Sequence, residues 1–240
     1  MQKLKLSITL LFLSLGSVIA QQFAEPFTTF ISDRECYVIT VEGAEVFGTL
    51  RAATETGGFI TRLRIRDESG QIHKFKAEDV LRFAIRPDAF AKSITVAEKA
   101  TSIRHAITTD HNNILERDWI YYDAQQMPRR KNKVALLQLL NPGFDQHIQV
   151  YDHRNGSKSM PISLGGVRVV GGEERTLLVV YGNAKPRIVR KASFKKAFVD
   201  IFADQPDVFK TVKRKPKFKD FAQYIQTYNV MKEKSIAAQN

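Results

Sequence analysis

The sequence predicts an α+β fold that is mostly antiparallel β, with a small barrel or curled sheet, then a β-meander, then C-terminal helices. Three observations favour it. Apolar and charged residues alternate with period two over residues 59–66, which is typical of a half-buried strand. Further short strand candidates lie on both sides of this segment and are separated by glycine turns. After residue 193 the spacing of apolar residues becomes helical.

Residues 59–77 predict a β-hairpin with one apolar and one positive face. A three-residue loop at 68–70, with a left-handed glycine at its end, pairs Leu63 with Phe75 and Ile65 with His73. Phe59 joins this inward face, where His73 is interpreted as a core histidine bonded to backbone. The opposite face carries Arg62, Arg64, Arg66, Lys74 and Lys76. Two interpretations stay open: an anionic partner meets these cations, or neighbouring acids screen them, such as Glu55, Glu78 and Asp79.

The first 20 residues have the pattern of a secretory signal peptide. Lys3 and Lys5 precede an apolar run, and Val18 and Ala20 place small residues at positions −3 and −1 of a cleavage site. The run contains serine and threonine and is shorter than the roughly 20 apolar residues of a membrane-spanning helix. We therefore expect cleavage before Gln21, a mature chain without a transmembrane span, and a periplasmic or secreted location.

The mature chain is strongly basic. Removal of Lys3 and Lys5 with the leader lowers the formal net charge from +12 to +10. Outside the cytoplasm, the available anionic partners are lipid head groups, acidic glycans and acidic envelope proteins, whereas nucleic acid is scarce. Solubility alone also explains a high charge. Cys36 is the single cysteine, so no internal disulfide can form, and we expect it to be a small buried residue.

Residues 27–92 predict the barrel-like unit. Strand candidates lie at 27–31, 35–41, 45–53, 59–66, 72–77 and 80–85. Short strands with tight turns favour a closed or curled sheet, because a flat sheet would leave both edges open. The stretch 36–85, with Gly48 inside a strand, resembles the SH3-like and Sm-like small barrels. This resemblance implies a fold and no ligand.

Residues 93–192 predict a connector and a β-meander. The segment 93–107 has no clear period and receives no assignment. Strands are predicted at 116–123, 134–140, 148–151, 167–170, 175–181 and 186–191.

Residues 193–232 predict helices packed on the meander. Ser193 is the expected N-cap, and one apolar stripe follows it: Phe194, Ala197, Phe198, Ile201 and Phe202. Pro206 is tolerated at the start of a short second helix. A last helix contains Phe221, Tyr224, Ile225 and Tyr228, and the chain is expected to fray from Lys232.

Four segments of the second half carry a second resemblance: 136–144 (LLQLLNPGF), 148–151 (IQVY), 202–206 (FADQP) and 228–229 (YN). They look like uncharacterised exported proteins of the Bacteroidota cell envelope. The resemblance implies an envelope location and a β-rich body with C-terminal helices, and it supplies no catalytic residue.

Sequence motifs of catalysis are absent: there is no Gly-x-Ser-x-Gly, His-Glu-x-x-His, Walker-type loop or cysteine pair. The best metal candidate combines His147 and His153 with the adjacent Asp145 and Asp152. Along one strand the two histidines would lie about 20 Å apart, whereas ligands of a shared ion bind it at about 2 Å. We therefore predict neither a metal site nor a cofactor.

Two further basic clusters are anion-binding candidates. One lies in a turn, and the other lies between Phe209 and Phe218; their cations are Arg129, Arg130, Lys131, Lys213, Arg214 and Lys215. Cations beside aromatic residues can bind a phosphate-bearing surface. The more ordinary arrangement has Phe209 and Phe218 closing the helical core while the cations stay in water.

The sequence therefore favours an exported, non-enzymatic envelope protein, a binding or structural module whose basic faces meet an acidic partner. The alternative is a hydrolase that acts on an envelope polymer through residues distant in sequence. Nucleic-acid binding is permitted by the barrel and the charge, but the export signal argues against it.

Overall fold

A computed structural model of the chain describes residues 22–27, 32–100, 111–128, 133–153, 162–164, 167–170, 176–182, 184–212 and 214–238. The predicted signal peptide at 1–20 lies outside the described residues. So do Arg129, Arg130, Lys131 and Lys213 of the basic clusters, and all of the predicted strand 27–31 except Phe27.

Six strands close into an antiparallel barrel, which confirms the predicted small barrel. Its strands are β1 (Glu35–Thr40), β2 (Glu45–Thr56), β3 (Phe59–Arg66), β5 (Val80–Ile85), β6 (Ile120–Gln126) and β7 (Val134–Gln138). They follow the order β2-β1-β5-β6-β7-β3, and β3 pairs again with β2. An extra strand, β4 (Ile72–Lys76), pairs with β3. The sheet therefore extends beyond residues 27–92, because β6 and β7 complete it.

The barrel interior is filled by aliphatic and aromatic side chains that include Leu63, Ile65 and Phe83. Phe59 is also buried, but it lies in a different cluster, between the barrel and a second sheet. The prediction that it points into the barrel was wrong. The register between β2 and β3 shifts between Thr54 and Glu55, and such a bulge reverses the inside–outside alternation beyond it, so Ile60 takes the interior position.

Two described helices follow β5: α1 (Ala89–Ala100) and α2 (Asn112–Leu115). The unassigned segment that begins at residue 93 is thus helical up to residue 100, and residues 101–110 lie outside the described part of the chain. The Asp88 carboxylate accepts a hydrogen bond from the Ala91 N–H at 2.6 Å and so caps the start of α1.

The predicted meander is a second, three-stranded sheet of order β12-β11-β8. Its strands are β8 (Ile148–Asp152), β11 (Thr176–Tyr181) and β12 (Arg187–Arg190), and β9 (Ile162–Leu164) with β10 (Val167–Val170) forms a separate hairpin. The chain leaving β7 joins the two sheets, because Leu139 bridges to Tyr151 and the Leu140 N–H donates to the Val150 carbonyl at 2.7 Å.

Three described C-terminal helices cover the second sheet: α3 (Phe194–Ile201), α4 (Asp207–Lys210) and α5 (Phe221–Ala237). Phe198 and Phe202 are fully buried in one cluster with residues of β8, β11 and β12, as the apolar stripe predicted. The expected fraying from Lys232 was wrong, since α5 continues to Ala237.

Candidate anion-binding face

The hairpin of β3 and β4 has the predicted register. Leu63 pairs with Phe75 and Ile65 with His73. Gly70 has a φ of +87°, a left-handed conformation that glycine adopts without the strain of a side chain. The Gly70 N–H donates to the Asp67 carbonyl at 3.1 Å and closes the loop. This register puts the five predicted cations on one side.

We call these five residues the cationic face: Arg62, Arg64, Arg66, Lys74 and Lys76, all of them exposed. Arg62 lies opposite Lys76, and Arg64 lies opposite Lys74. Like charges in directly opposed positions repel each other and cost a few tenths of a kcal/mol to about 1 kcal/mol per pair. The face therefore concentrates positive charge at some cost to folding.

Acidic neighbours screen part of the cationic face. Arg66 lies 3.9 Å from Asp33, and Lys76 lies 3.4 Å from Glu78. Asp79, another predicted screening residue, instead accepts a hydrogen bond from the backbone N–H of Lys76. Among the described residues, no carboxylate lies within ion-pair distance of the remaining cations, Arg62, Arg64 and Lys74. These three can meet an external anion without breaking an ion pair within the described residues.

A groove of about 510 Å³, which we call the rim groove, opens at one end of the face. Arg62 and Lys76 line it from the hairpin, and Lys133 lines it from the start of β7. Three hydroxyl groups and the Glu78 carboxylate complete its polar wall, and its floor is apolar; these residues are Thr54, Thr56, Thr61, Glu78, Phe59, Met127, Val134 and Ala135. Because Glu78 pairs with Lys76, the cations left to hold an anionic group are Arg62 and Lys133, beside the hydroxyl groups and above an apolar floor that could hold an attached carbon skeleton.

The rim groove also reaches the turn that contains the second basic cluster. Met127 and Lys133 flank that turn, and the Met127 N–H donates to the Lys133 carbonyl at 2.8 Å. The predicted anion-binding residues Arg129, Arg130 and Lys131 lie between them, outside the described residues.

The third basic cluster lies on the helical side of the molecule. Arg214 and Lys215 are exposed, and Lys213 is outside the described residues. Phe209 and Phe218 pack against the helical core, which is the more ordinary of the two predicted arrangements. None of the described residues of this cluster lines the rim groove.

At the turn end of the hairpin, His73 and Asp67 form a close pair. The His73 Nε2 and the Asp67 carboxylate are 2.6 Å apart, and Ser69 also donates to that carboxylate. Hydrogen bonds from His73 and from Ser69 lower the pKa of Asp67 to about 2. The expected backbone partner of His73 is thus replaced by a carboxylate, which fastens β4 to the turn.

A partly buried polar cluster, which sequence patterns missed, ties the barrel to the second sheet. Arg82 of β5 donates twice to Asp123 of β6, at 2.7 and 3.0 Å, and the Tyr151 hydroxyl of β8 donates to the same carboxylate at 3.1 Å. Burial and the Asp123 charge raise the pKa of Tyr151, and the hydrogen bonds with Asp123 raise the pKa of Arg82. Gln125 donates to the Tyr151 oxygen. Because Arg82, Tyr151 and Gln125 hydrogen-bond to other members of the cluster, the cluster links the barrel to the second sheet.

A patch of aromatic residues on the outer face of the barrel was also missed. Tyr37 contacts the rings of Phe47 and Trp119, with centroids 5.5 and 5.3 Å apart, and the Arg86 guanidinium lies 4.8 Å above the Trp119 ring. Alternation along β1 and β2 could have placed Tyr37 and Phe47 on one face. Trp119, which lies before β6, gave no such signal.

Groups suited to metal binding do not converge in the described part of the chain. No cluster of three His, Cys, Asp or Glu side chains suited to a metal occurs there. His147 pairs with Glu233 of α5, whereas His153 packs against Phe59, so the two histidines serve different contacts. Burial raises the pKa of the Cys36 thiol to about 12, which keeps it protonated and unreactive at neutral pH.

The described helices include none that is both long enough and apolar enough to cross a membrane. Comparison of the chain with family models, curated proteins and solved structures finds no match.

Proposed function

We propose that this protein is an exported, non-enzymatic binding module of the bacterial cell envelope, and that its cationic face holds an acidic partner. The observation that carries the proposal is the grouping of Arg62, Arg64 and Lys74 on one exposed surface without an acidic partner among the described residues. The export pattern at residues 1–20 and the resemblance to Bacteroidota envelope proteins support the location.

The arrangement of charge favours binding over a purely solubilising role. Solubility requires only a net charge, and scattered cations supply it without mutual repulsion. Here Arg62 and Arg64 directly oppose Lys76 and Lys74, and the face continues into a groove lined by Lys133. An anionic partner would relieve the repulsion and make charge-assisted hydrogen bonds with the guanidinium groups.

A double charge reversal separates binding from stability. In the variant Arg62→Glu with Arg64→Glu, each new carboxylate opposes a lysine on β4, so we expect stability to be kept or raised by a few tenths of a kcal/mol per pair. Lys195→Glu with Lys196→Glu is the matched control, because it changes the net charge equally at two exposed positions of α3.

The assay measures binding to immobilised polyglutamate, polygalacturonate and phosphatidylglycerol vesicles, which represent acidic protein, acidic glycan and anionic lipid. We expect at least one probe to bind at low salt, with loss of affinity as salt screens the charges. The face variant should lose at least about tenfold in affinity, while the control stays close to wild type. Equal losses in both variants, no loss in the face variant, or no binding by wild type would overturn the proposal.

The proposed location has a separate test. Mass spectrometry of the protein recovered from the envelope or medium should find a chain that begins at Gln21. A chain that retains residues 1–20 would show that the leader is not a cleaved signal.

A further inference from the structure

We propose that the free edge of β4 binds an acidic, extended segment of a partner protein as an added strand, through the backbone groups of Ile72 and Lys74. This inference rests on the proposed function and names its partner class and its mode of contact. A strand edge without a described partner and the positive charge beside it together support this inference.

The ladder between β3 and β4 fixes which backbone groups of β4 face outward. The Asp67 N–H donates to the Gln71 carbonyl at 3.0 Å, so these two residues form a hydrogen-bonded pair. Bonded pairs alternate along an antiparallel ladder, and therefore His73 and Phe75 make the next bonds to β3. The residues between them direct their N–H and C=O groups away from β3.

A capping contact at the end of β4 agrees with this alternation. The Lys76 N–H donates to the Asp79 carboxylate at 3.0 Å, so it points away from β3. Because this orientation repeats every two residues, the backbone N–H and C=O groups of Lys74 and Ile72 also point away from β3. No other described strand pairs with this edge, and no described residue bonds to these outward groups. The edge thus offers unpaired donors and acceptors at two successive outward positions.

The side chains of β4 determine which types of residue a strand that pairs with it should contain. Lys74 and Lys76 flank the edge on the cationic face, whereas His73 and Phe75 occupy the other face and are partly buried. Side chains of a strand alternate between faces. An added strand would therefore place acidic residues beside the lysines and apolar residues beside Phe75, which requires an alternating acidic and apolar segment.

A second copy of this chain fits the edge poorly. Pairing two β4 edges would bring Lys74 and Lys76 of one copy against the same residues of the other. Lysines on an edge strand oppose such self-association, and repulsion of wrong partners is one source of specificity. An acidic strand gains from the same lysines. Lipid and glycan have no strand-forming backbone, so they would bind only through charge.

The test uses a labelled peptide of alternating Glu and Val, a peptide of equal composition with the Glu and Val in separate blocks, and two N-methylated forms. One form is methylated at every Glu nitrogen and the other at every Val nitrogen. Successive N–H groups of a strand point to opposite sides, so only one form retains the donors that meet β4. We expect fluorescence anisotropy to show binding of the alternating peptide, and loss of at least about tenfold in affinity for the block peptide and for one methylated form.

Two substitutions at one position test the same contact from the protein. Lys74→Pro removes the charge and the outward N–H, whereas Lys74→Ala removes only the charge. Both should fold, because that N–H makes no bond to β3, and melting curves check this. We expect Lys74→Pro to bind the alternating peptide several-fold more weakly than Lys74→Ala does; equal affinities would count against strand addition.

The outcomes separate this inference from the proposed function. If both methylated peptides bind as well as the parent, or both lose affinity equally, strand addition is excluded even where the reversal of Arg62 and Arg64 abolishes binding. In that case the cationic face binds acidic groups through charge alone. Failure of the charge reversal to change binding would instead remove the premise of both proposals.

Discussion

Replacing Gly48 with alanine should break the barrel where β2 passes the end of β3. A Cβ atom at this position would lie 2.2 Å from the Arg66 carbonyl oxygen and 2.8 Å from the carbonyl carbon. Carbon and oxygen atoms in ordinary contact are separated by roughly 1 Å more than the shorter of these distances. The obstructing atoms belong to backbone, so no side chain can rotate away, and the two strands must separate instead.

The expected cost is at or above the upper end of the range for overpacking, about 3 kcal/mol. For a chain of this length, that corresponds to a fall of about 6–12 °C in melting temperature. Gly70→Ala is the control, since its Cβ meets nothing within 4 Å and only its φ of +87° is unfavourable. The control should cost about 1–2 kcal/mol. A Gly48→Ala variant that unfolds in urea within about 1 kcal/mol of wild type would refute the close approach of β2 to β3.

Three further substitutions test other parts of the fold. Phe198→Ala should cost about 3–5 kcal/mol in urea unfolding, because Phe198 is 1 % exposed, whereas Val199→Ala should cost under about 0.5 kcal/mol; equal effects would mean that α3 is not docked as described. Tyr151→Phe removes a hydrogen bond to a buried carboxylate and should cost about 1–3 kcal/mol, and an unchanged unfolding free energy would exclude the tie between the sheets. The pKa of Asp67, lowered to about 2 by its hydrogen bonds with His73 and Ser69, lies below the unfolded value near 3.9. Its stabilisation is therefore present above about pH 4 and is lost as pH falls through about 2, so the melting temperatures of wild type and Asp67→Asn should converge over that interval; a constant difference would contradict this linkage.

Features set by local pattern were predictable from the sequence. The alternation in 59–66 and the position of Gly70 predicted the pairing of Leu63 with Phe75, because a turn of known length determines the register of a hairpin. The stripe containing Phe198 and Phe202 predicted a docked helix, because 3.6-residue spacing leaves one apolar face to cover. The cationic face follows directly from the first of these patterns.

Features that depend on distant contacts were not predictable. The pairing of β7 with β3, which completes the barrel, joins Ile60 to Leu136 and leaves no local signature in the sequence. Helix α1 was missed because Ile94, Thr95 and Val96 have β-branched side chains that favour strands. Asp88, which caps the helix, was the available signal.

The candidate site likewise combines features that a local pattern predicts with features that depend on distant contacts. Alternation placed Arg62 and Arg64 on one face, but it could not show that Lys133, which immediately precedes β7, lines the groove at the end of that face. The sequence also could not show that no second described strand pairs with β4, because strand order across a sheet depends on tertiary pairing. The network of Arg82, Asp123 and Tyr151 likewise joins three separate strands.

The most direct test of the central claim is an amide chemical-shift titration of the ¹⁵N-labelled mature protein with polyglutamate. If the cationic face holds the acidic partner, the largest shift changes should come from Arg62, Arg64 and Lys74 and from neighbouring amides of β3 and β4, and they should weaken as salt is added. Changes centred on Arg214 and Lys215, with the amides of β3 and β4 unaffected, would contradict it.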